Sequence, residues 1–425
     1  MKPPSQAKSP GSKTRVAWLM PTMKGGFYWQ PLFREFTKLF PQSIVFTGLW
    51  PGFLPGYEGA IEVCQIRGAR FITFKRSACG YCRTLSWVPP SFLWHLCRFS
   101  PQVIVTVGFN LCTLCALALK PLMGWKVILL WEGVSPTISY SDAPISLMAR
   151  RIMGPCFDAT ITNTREGMDY LKNVVGIPGS KLLHHPYEVA EARALQSDRN
   201  RHHSPRSESH LAFLYVGQLI PRKGVHLLLQ ACDELLKRGI DSFSLTIIGT
   251  GHIGRALRSE AALLGLESYV KWVGAVDYGD LGAYYEACDV FVFPTLEDTW
   301  GMVVLEAMVF GKPVLCSKYA GSREMVEHAG SGFVFDPLRV DELAGYMERL
   351  IREPILVTSF GLQSTKRIAS HTPVQAAKSL SMLVDQVMER KGFHETACRK
   401  VADFPSATTS VNEDPSASSD FRLTR

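Results

Sequence analysis

No apolar run in the 425 residues is long and clean enough to cross a bilayer. A spanning helix needs about 20 predominantly apolar residues. The most apolar long stretch, residues 103–119, is interrupted by Gly108 and Asn110 and divides into a strand and a helix. No secretory leader is expected either: residues 1–14 are rich in Pro, Ser and Lys, and the apolar run at 16–20 is too short to read as one. Charge of one sign is not in large excess. The 46 Lys and Arg against 38 Asp and Glu leave a net +8, which suits an anionic substrate or an acidic membrane surface and does not call for nucleic acid. The eleven cysteines form no framework. Most sit inside apolar runs (Cys64, Cys112, Cys115, Cys232, Cys288, Cys316), as buried free thiols do in a reducing compartment. Cys79 and Cys82 have zinc-like spacing, with His95 and Cys97 further on, but no second Cys-x-x-Cys follows, and no metal is expected. With 46% apolar and 20% charged residues, dominant disorder is excluded as well.

What is present is a repeated alternation of short buried strands and helices. The length suggests two domains. Strands are expected at 15–21, 43–49, 103–107, 126–130 and 158–162, with helices at 29–40 and 165–174. Residues 189–210 are polar and lack a strand pattern, and read as a linker. A second unit has strands at 213–216, 244–248, 270–273, 290–293 and 314–316, with helices at 225–238, 254–264, 281–287 and 302–310. The expected organisation is an arm (1–14), a first domain (15–188), the linker, a second domain (211–365), a helix that turns back to the first domain (366–392) and a disordered tail (393–425). The fold class is α/β, two doubly wound Rossmann-like domains facing across a cleft. Ligands in such sheets bind beyond the carboxyl ends of the strands.

Four loops of the second unit lie at such ends. After the strand at 213–216 come Gly217, Gln218, Arg222 and Lys223, and adjacent cations in a strand-to-helix loop suit a diphosphate. Gly249, Gly251 and Gly254 spell G-x-G-x-x-G after a strand. The acid that nicotinamide or flavin binding requires at the end of the next strand is missing, since Glu267 and Asp277 only flank that strand. The third loop runs Asp298-Thr299-Trp300-Gly301-Met302-Val303 into a helix carrying Glu306. Free N–H groups of that first turn attract anions, and Glu306 stands where a carboxylate accepts two ribose hydroxyls. Asp298 or Thr299 also makes an ordinary helix cap, which is compatible with ligand binding. The fourth loop holds Gly321, Arg323 and Glu324.

In order and spacing these pieces resemble the donor-binding domain of GT-B, family-4-type retaining glycosyltransferases over residues 211–352. The resemblance includes Gly311-Lys312-Pro313-Val314 and the carboxylate, seven residues, glutamate pattern from Asp298 to Glu306. It implies that Glu306 holds the ribose, Asp298 the transferred sugar, and Lys223 with Arg222 the leaving diphosphate. Two positions depart from the family: Gln218 stands where an Arg is usual, and Asp298 where a Glu is usual. In the first unit, Gly25 and Gly26 after the first strand resemble the glycine loop that approaches the donor phosphates. Glu132 stands where many relatives place a histidine near the sugar.

The implied function is transfer of a hexosyl unit from a UDP- or GDP-sugar to a hydroxyl acceptor with retained anomeric configuration, in polysaccharide or lipid-linked glycan synthesis. No Asp-x-Asp motif lies at these loops, so cations and helix dipole stand in for a metal, and no cofactor beyond the nucleotide sugar is needed. The expected location is cytoplasmic, with peripheral contact at the inner membrane face; segments 71–83 and 87–99 carry the Arg, Trp and Phe for such contact, although a packed domain surface explains them equally well. Two alternatives remain: a nucleotide-sugar epimerase of the same architecture, and a nucleotide-sugar-binding protein without activity.

Overall fold

A computed structural model describes residues 13–76, 82–134, 144–196, 210–327 and 330–389. In chain order the strands are β1 (Val16–Leu19), β2 (Ser43–Thr47), β3 (Glu62–Gln65), β4 (Arg70–Arg76), β5 (Cys82–Trp87), β6 (Val103–Val107), β7 (Lys126–Trp131), β8 (Ala159–Thr162), β9 (Leu182–His184), β10 (Leu211–Val216), β11 (Phe243–Ile248), β12 (Val270–Gly274), β13 (Val290–Phe293), β14 (Val314–Ser317) and β15 (Gly332–Phe335). They form a seven-stranded sheet in the order β3-β2-β1-β6-β7-β8-β9 and a six-stranded sheet in the order β12-β11-β10-β13-β14-β15, with β4 and β5 as a separate antiparallel pair. Both large sheets are parallel throughout. Helices cover both faces, so the central strands bury both sets of side chains and read as continuous apolar runs, Val-Ala-Trp-Leu in β1 and Val-Phe-Val-Phe in β13.

Strand order reverses beside β1 and β6 in the first sheet and beside β10 and β13 in the second. Neighbouring loops part there and leave a crevice at the carboxyl ends of the strands. The last described helix, Pro373–Met388, starts on a Thr372 cap and buries Ala376, Ala377, Leu380, Leu383 and Val384 in one core with Trp18, Phe33 and Phe36 of the first unit. Among the described residues no helix is long and apolar enough to cross a membrane.

Some elements differ from the sequence reading. The helix expected over 165–174 is a short α-helix, Arg165–Asp169, that widens into a π-turn at Tyr170–Val175 and stops at Gly176 in the left-handed region. The wide turn lets Tyr170, Leu171 and Val175 all face the core. Strand β3 is short and half polar, and β15 opens on a glycine, so neither has a period-2 signature. Where a polar connection was expected to begin, the chain is still packed: Val189, Ala190, Ala194 and Leu195 are buried.

Candidate functional site

At the reversal point of the second sheet, the loops after β10 and β13 lock together. The 3₁₀ turn Pro221–Lys223 ends at Gly224, whose φ is +67°. A Cβ there would lie 2.0 Å from the Pro294 carbonyl oxygen, so only glycine lets the loops approach. The Leu296 N–H donates to the Arg222 carbonyl at 2.7 Å, and the Arg222 guanidinium donates to the Glu297 carbonyl at 2.9 Å. These bonds bring the charged groups together. The Lys223 ammonium donates to the Asp298 carboxylate, Arg222 lies 3.7 Å from the same oxygen, and Lys223 also stands 5.1 Å over the Phe293 ring. The other Asp298 oxygen accepts from the Trp300 N–H at 3.3 Å. Gly301, at φ +98°, admits the turn into the helix Met302–Val309, and its missing side chain leaves room for Phe293 and Ser322. No side chain caps that helix start.

Glu306 lies inside this helix and is only 3% exposed. Tyr285 donates its hydroxyl to the carboxylate at 2.9 Å. Burial pushes the carboxyl up to about 7, and the Tyr285 and Tyr278 hydroxyls draw it part of the way back. The Tyr278 hydroxyl is itself buried and has no partner in bonding geometry among the described residues. The Tyr278 ring stacks at 6.2 Å on Phe27, so the glycine loop of the first domain meets the second domain beside Glu306.

From the first domain, Glu132 follows β7 and accepts a hydrogen bond from the Thr299 hydroxyl at 3.3 Å. Next to it, Gly133 packs so closely on the Thr299 carbonyl that a Cβ would lie 2.9 Å away. Burial raises the Glu132 carboxyl, Asp298 adds to the rise, and Thr299 opposes it. Glu188 joins this group, and sequence reasoning missed it. It is 3% exposed, accepts from Asn163 at 3.0 Å and Tyr28 at 3.4 Å, and its backbone carbonyl accepts from the Trp300 indole at 3.1 Å. Burial and the Glu132 charge hold its carboxyl well above the usual range. The signal was a lone acid between Tyr187 and Val189, inside a buried apolar segment.

The structure thus brings Arg222, Lys223, Asp298, Thr299, Trp300 and Glu132 into one contact network, with Glu306 one turn further along the helix. Met302 and Val303 are partly buried on the same helix. Gly217 and Gln218 lie on the loop after β10, where the Tyr215 hydroxyl donates to the Gln218 carbonyl at 3.0 Å. Gly249 and Gly251 approach this loop's backbone: a Cβ would lie 1.8 Å from the Gly217 oxygen and 2.0 Å from that of Leu219. Gly25, at φ +70°, opens the 3₁₀ turn Gly26–Tyr28 that carries Phe27 and Tyr28 to these contacts. At the fourth loop, Arg323 pairs with Glu166, and Glu324 accepts from the Arg165 N–H at 2.9 Å, tying the domains together. Cys79 lies outside the described residues, so the zinc-like spacing has no structural counterpart to report. Of the aromatic segments, β4 and β5 pair, and Trp94 is exposed on the helix Ser91–Phe99.

Residues 196–367 match the family model of glycosyl transferases group 1. The match takes in the second domain and its four loops. It is 30% identical over 176 residues to an alpha-D-kanosaminyltransferase of Streptomyces kanamyceticus, covering 41% of this chain and 43% of the relative. It is 32% identical over 143 residues to a GDP-mannose-dependent alpha-(1-6)-phosphatidylinositol monomannoside mannosyltransferase of Mycobacterium tuberculosis, covering 32% of this chain and 37% of the relative. These matches span less than half of each curated relative's length. The whole fold is similar to that of Anabaena HepE in complex with UDP, with a TM-score of 0.67 and 16% identity over 88% of this chain and 100% of the other. The two sheets have GT-B glycosyltransferases as structural neighbours.

Proposed function

We propose that this protein is a family member throughout and a retaining glycosyltransferase that moves a hexosyl unit from a UDP- or GDP-sugar to a hydroxyl acceptor. The observation that carries the reading is the pairing of Lys223 and Arg222 with Asp298 across the reversal point of the second sheet. The two cations stand on the carboxylate of the loop that leads into Met302–Val309, whose start has no side-chain cap among the described residues, and cations and helix start together suit a diphosphate. As the sugar's anomeric bond breaks, negative charge grows on the departing diphosphate. Lys223, Arg222 and the helix dipole are already oriented to stabilise it, which is the electrostatic form of catalysis. Glu306 accepts hydroxyls of the ribose, and Asp298, released from Lys223 by the phosphates, accepts hydroxyls of the transferred sugar. Glu132, bonded to the Thr299 hydroxyl of the donor loop, reaches the sugar from the first domain. Contacts from both domains enclose the centre and exclude the water that would hydrolyse the donor.

For the acceptor we propose a growing polysaccharide or a lipid-linked glycan, reached by peripheral contact with the inner face of a membrane. The mannosyltransferase relative, named for a phosphatidylinositol mannoside, and the net charge of +8 support this. The test is a donor screen: purified protein with a panel of UDP- and GDP-sugars, reading nucleoside diphosphate release with and without glycan acceptors. Acceptor-dependent release from one donor is expected. Conversion of a nucleotide sugar to its epimer without acceptor, or binding without release under any pairing, overturns the assignment.

A further inference from the structure

The loop that carries Asp298 is held from both domains. Within the second domain the Asp298 N–H donates to the Tyr319 carbonyl at 3.2 Å, the Gly321 N–H to the Asp298 carbonyl at 3.1 Å and the Ser322 N–H to the Trp300 carbonyl at 2.8 Å. From the first domain comes the bond already described: the buried Trp300 indole donates to the Glu188 carbonyl at 3.1 Å. That carbonyl belongs to a segment fixed by Asn163, which follows β8 and is itself buried. The Asn163 amide oxygen accepts from the Tyr187 N–H at 2.9 Å and from the Glu188 N–H at 3.4 Å, and its amide nitrogen donates to the Glu188 carboxylate at 3.0 Å. Two backbone donors on the oxygen decide which way this amide points.

The same loop contains the peptide that meets Asp298. The carbonyl of Thr299 and the N–H of Trp300 belong to one planar unit and turn together. A Cβ on Gly321 would lie 2.2 Å from the Thr299 carbonyl oxygen, and one on Gly133 2.9 Å from it, so a glycine of each domain closes on that edge. On the opposite edge, the Trp300 N–H donates to one Asp298 oxygen at 3.3 Å, a local turn over two residues. The other oxygen receives Lys223 and lies 3.7 Å from Arg222.

We propose that Trp300 and Asn163 are positioning residues for Asp298: through the bond from the indole to the Glu188 carbonyl, the first domain holds the Thr299–Trp300 peptide in the orientation that aims the Asp298 carboxylate at the transferred sugar. The role rests on the donor-site reading above. When a diphosphate draws Lys223 and Arg222 to itself, the Trp300 N–H still holds the carboxylate in place. Separation of the domains breaks the indole bond and frees the peptide to turn. Asp298 is therefore set for the sugar only while the two domains meet.

The test compares turnover of a panel of UDP- and GDP-sugars with the affinity for UDP and GDP by calorimetry, on the full chain. Trp300→Phe keeps an aromatic ring and removes the indole N–H. Its turnover should fall by about tenfold, the worth of one hydrogen bond. Its affinity for UDP and GDP, which lack the transferred sugar, should stay within about twofold. In an Asp298→Asn background the same substitution should cost no more than about twofold further, because the contact it serves is already lost. A role in folding alone would lower stability without this split and without this dependence on Asp298. Asn163→Ser releases the Tyr187 and Glu188 N–H groups at the other end of the chain of bonds. It should reproduce the split, and it carries the test if Trp300→Phe does not fold. Wild-type turnover in both variants, an equal fall in nucleotide affinity, or losses that multiply in full with Asp298→Asn overturn the positioning role while leaving the donor site standing. Absence of turnover by the wild type overturns the donor-site reading and this role together.

Discussion

Glu306→Gln should make the protein more stable at alkaline pH and a worse nucleotide binder. Burial raises the Glu306 carboxyl from 4.5 to about 7. Between those values the native protein keeps a proton that the unfolded chain releases. The stability contributed by the protonated carboxyl is therefore complete below pH 4.5 and is lost as pH rises through 7. At about 1.4 kcal/mol per pH unit, the ionised carboxylate costs about 3 kcal/mol by pH 8.5. Glutamine is neutral at every pH and still accepts from the Tyr285 hydroxyl, so it removes the cost without emptying the site. Thermal unfolding of wild type and variant should converge near pH 4.5 and separate by about 6–12 °C at pH 8.5, at about 2–4 °C per kcal/mol for a domain of this size. Affinity for UDP or GDP should fall by about tenfold, because an amide accepts the two ribose hydroxyls less strongly than a carboxylate. Superimposable stability profiles across this pH range would refute the burial argument. Unchanged nucleotide affinity at pH 8.5 would refute the ribose contact.

Lys223→Ala removes the cation closest to Asp298 and should lower turnover by about 10²–10³, with far-UV circular dichroism unchanged; wild-type turnover would remove its leaving-group role. Asp298→Asn frees Lys223 from its ion pair, so nucleotide affinity should hold or rise while turnover falls by about 10–100-fold. Calorimetry and initial rates on one preparation separate these effects, and a parallel loss of both would contradict the division of roles between Asp298 and Lys223. Burial, together with Arg165 beside His184 and Arg367 beside His371, pushes both imidazoles down to about 4. Unfolded, they bind protons near about 6.5, so stability is lost as pH falls from 6.5 toward 4. His371→Gln should flatten that acid limb in thermal unfolding, and an unchanged limb would mean the imidazole is not held neutral.

The two sheets were legible in the sequence because their central strands are buried on both faces. β10 and β13 are uninterrupted apolar runs, β6 and β14 carry one polar residue each, Thr106 and Ser317, and glycines and prolines mark the loops after most of them. Of the edge strands, β12 was legible at 270–273, but β3, β9 and β15 were not. β3 and β15 cover one neighbour only and include residues, such as Glu62, Gln65 and Gly332, that break any apolar period. The loops of the second domain carried their chemistry openly, since cations and acids stood out between apolar runs. What the sequence could not show was which charges meet. Lys223 and Asp298 are 75 residues apart and become partners only because β10 and β13 are neighbours in the sheet.

Glu188 lies at the opposite limit of legibility, and the reason bears on the chemistry. Its neighbours in sequence, Tyr187, Val189 and Ala190, are all buried, so local pattern makes it a misplaced acid at the end of a domain. Its partners Tyr28 and Asn163 arrive from the loops after β1 and β8, and its carbonyl is held by Trp300 of the second domain. A buried carboxyl with no cation costs several kcal/mol when ionised, which favours its neutral form. The Asn163 amide and the Tyr28 hydroxyl recover part of that cost. The Glu132 charge opposes ionisation further, so the carboxyl is held well above the usual range by groups that come together only in the folded two-domain arrangement.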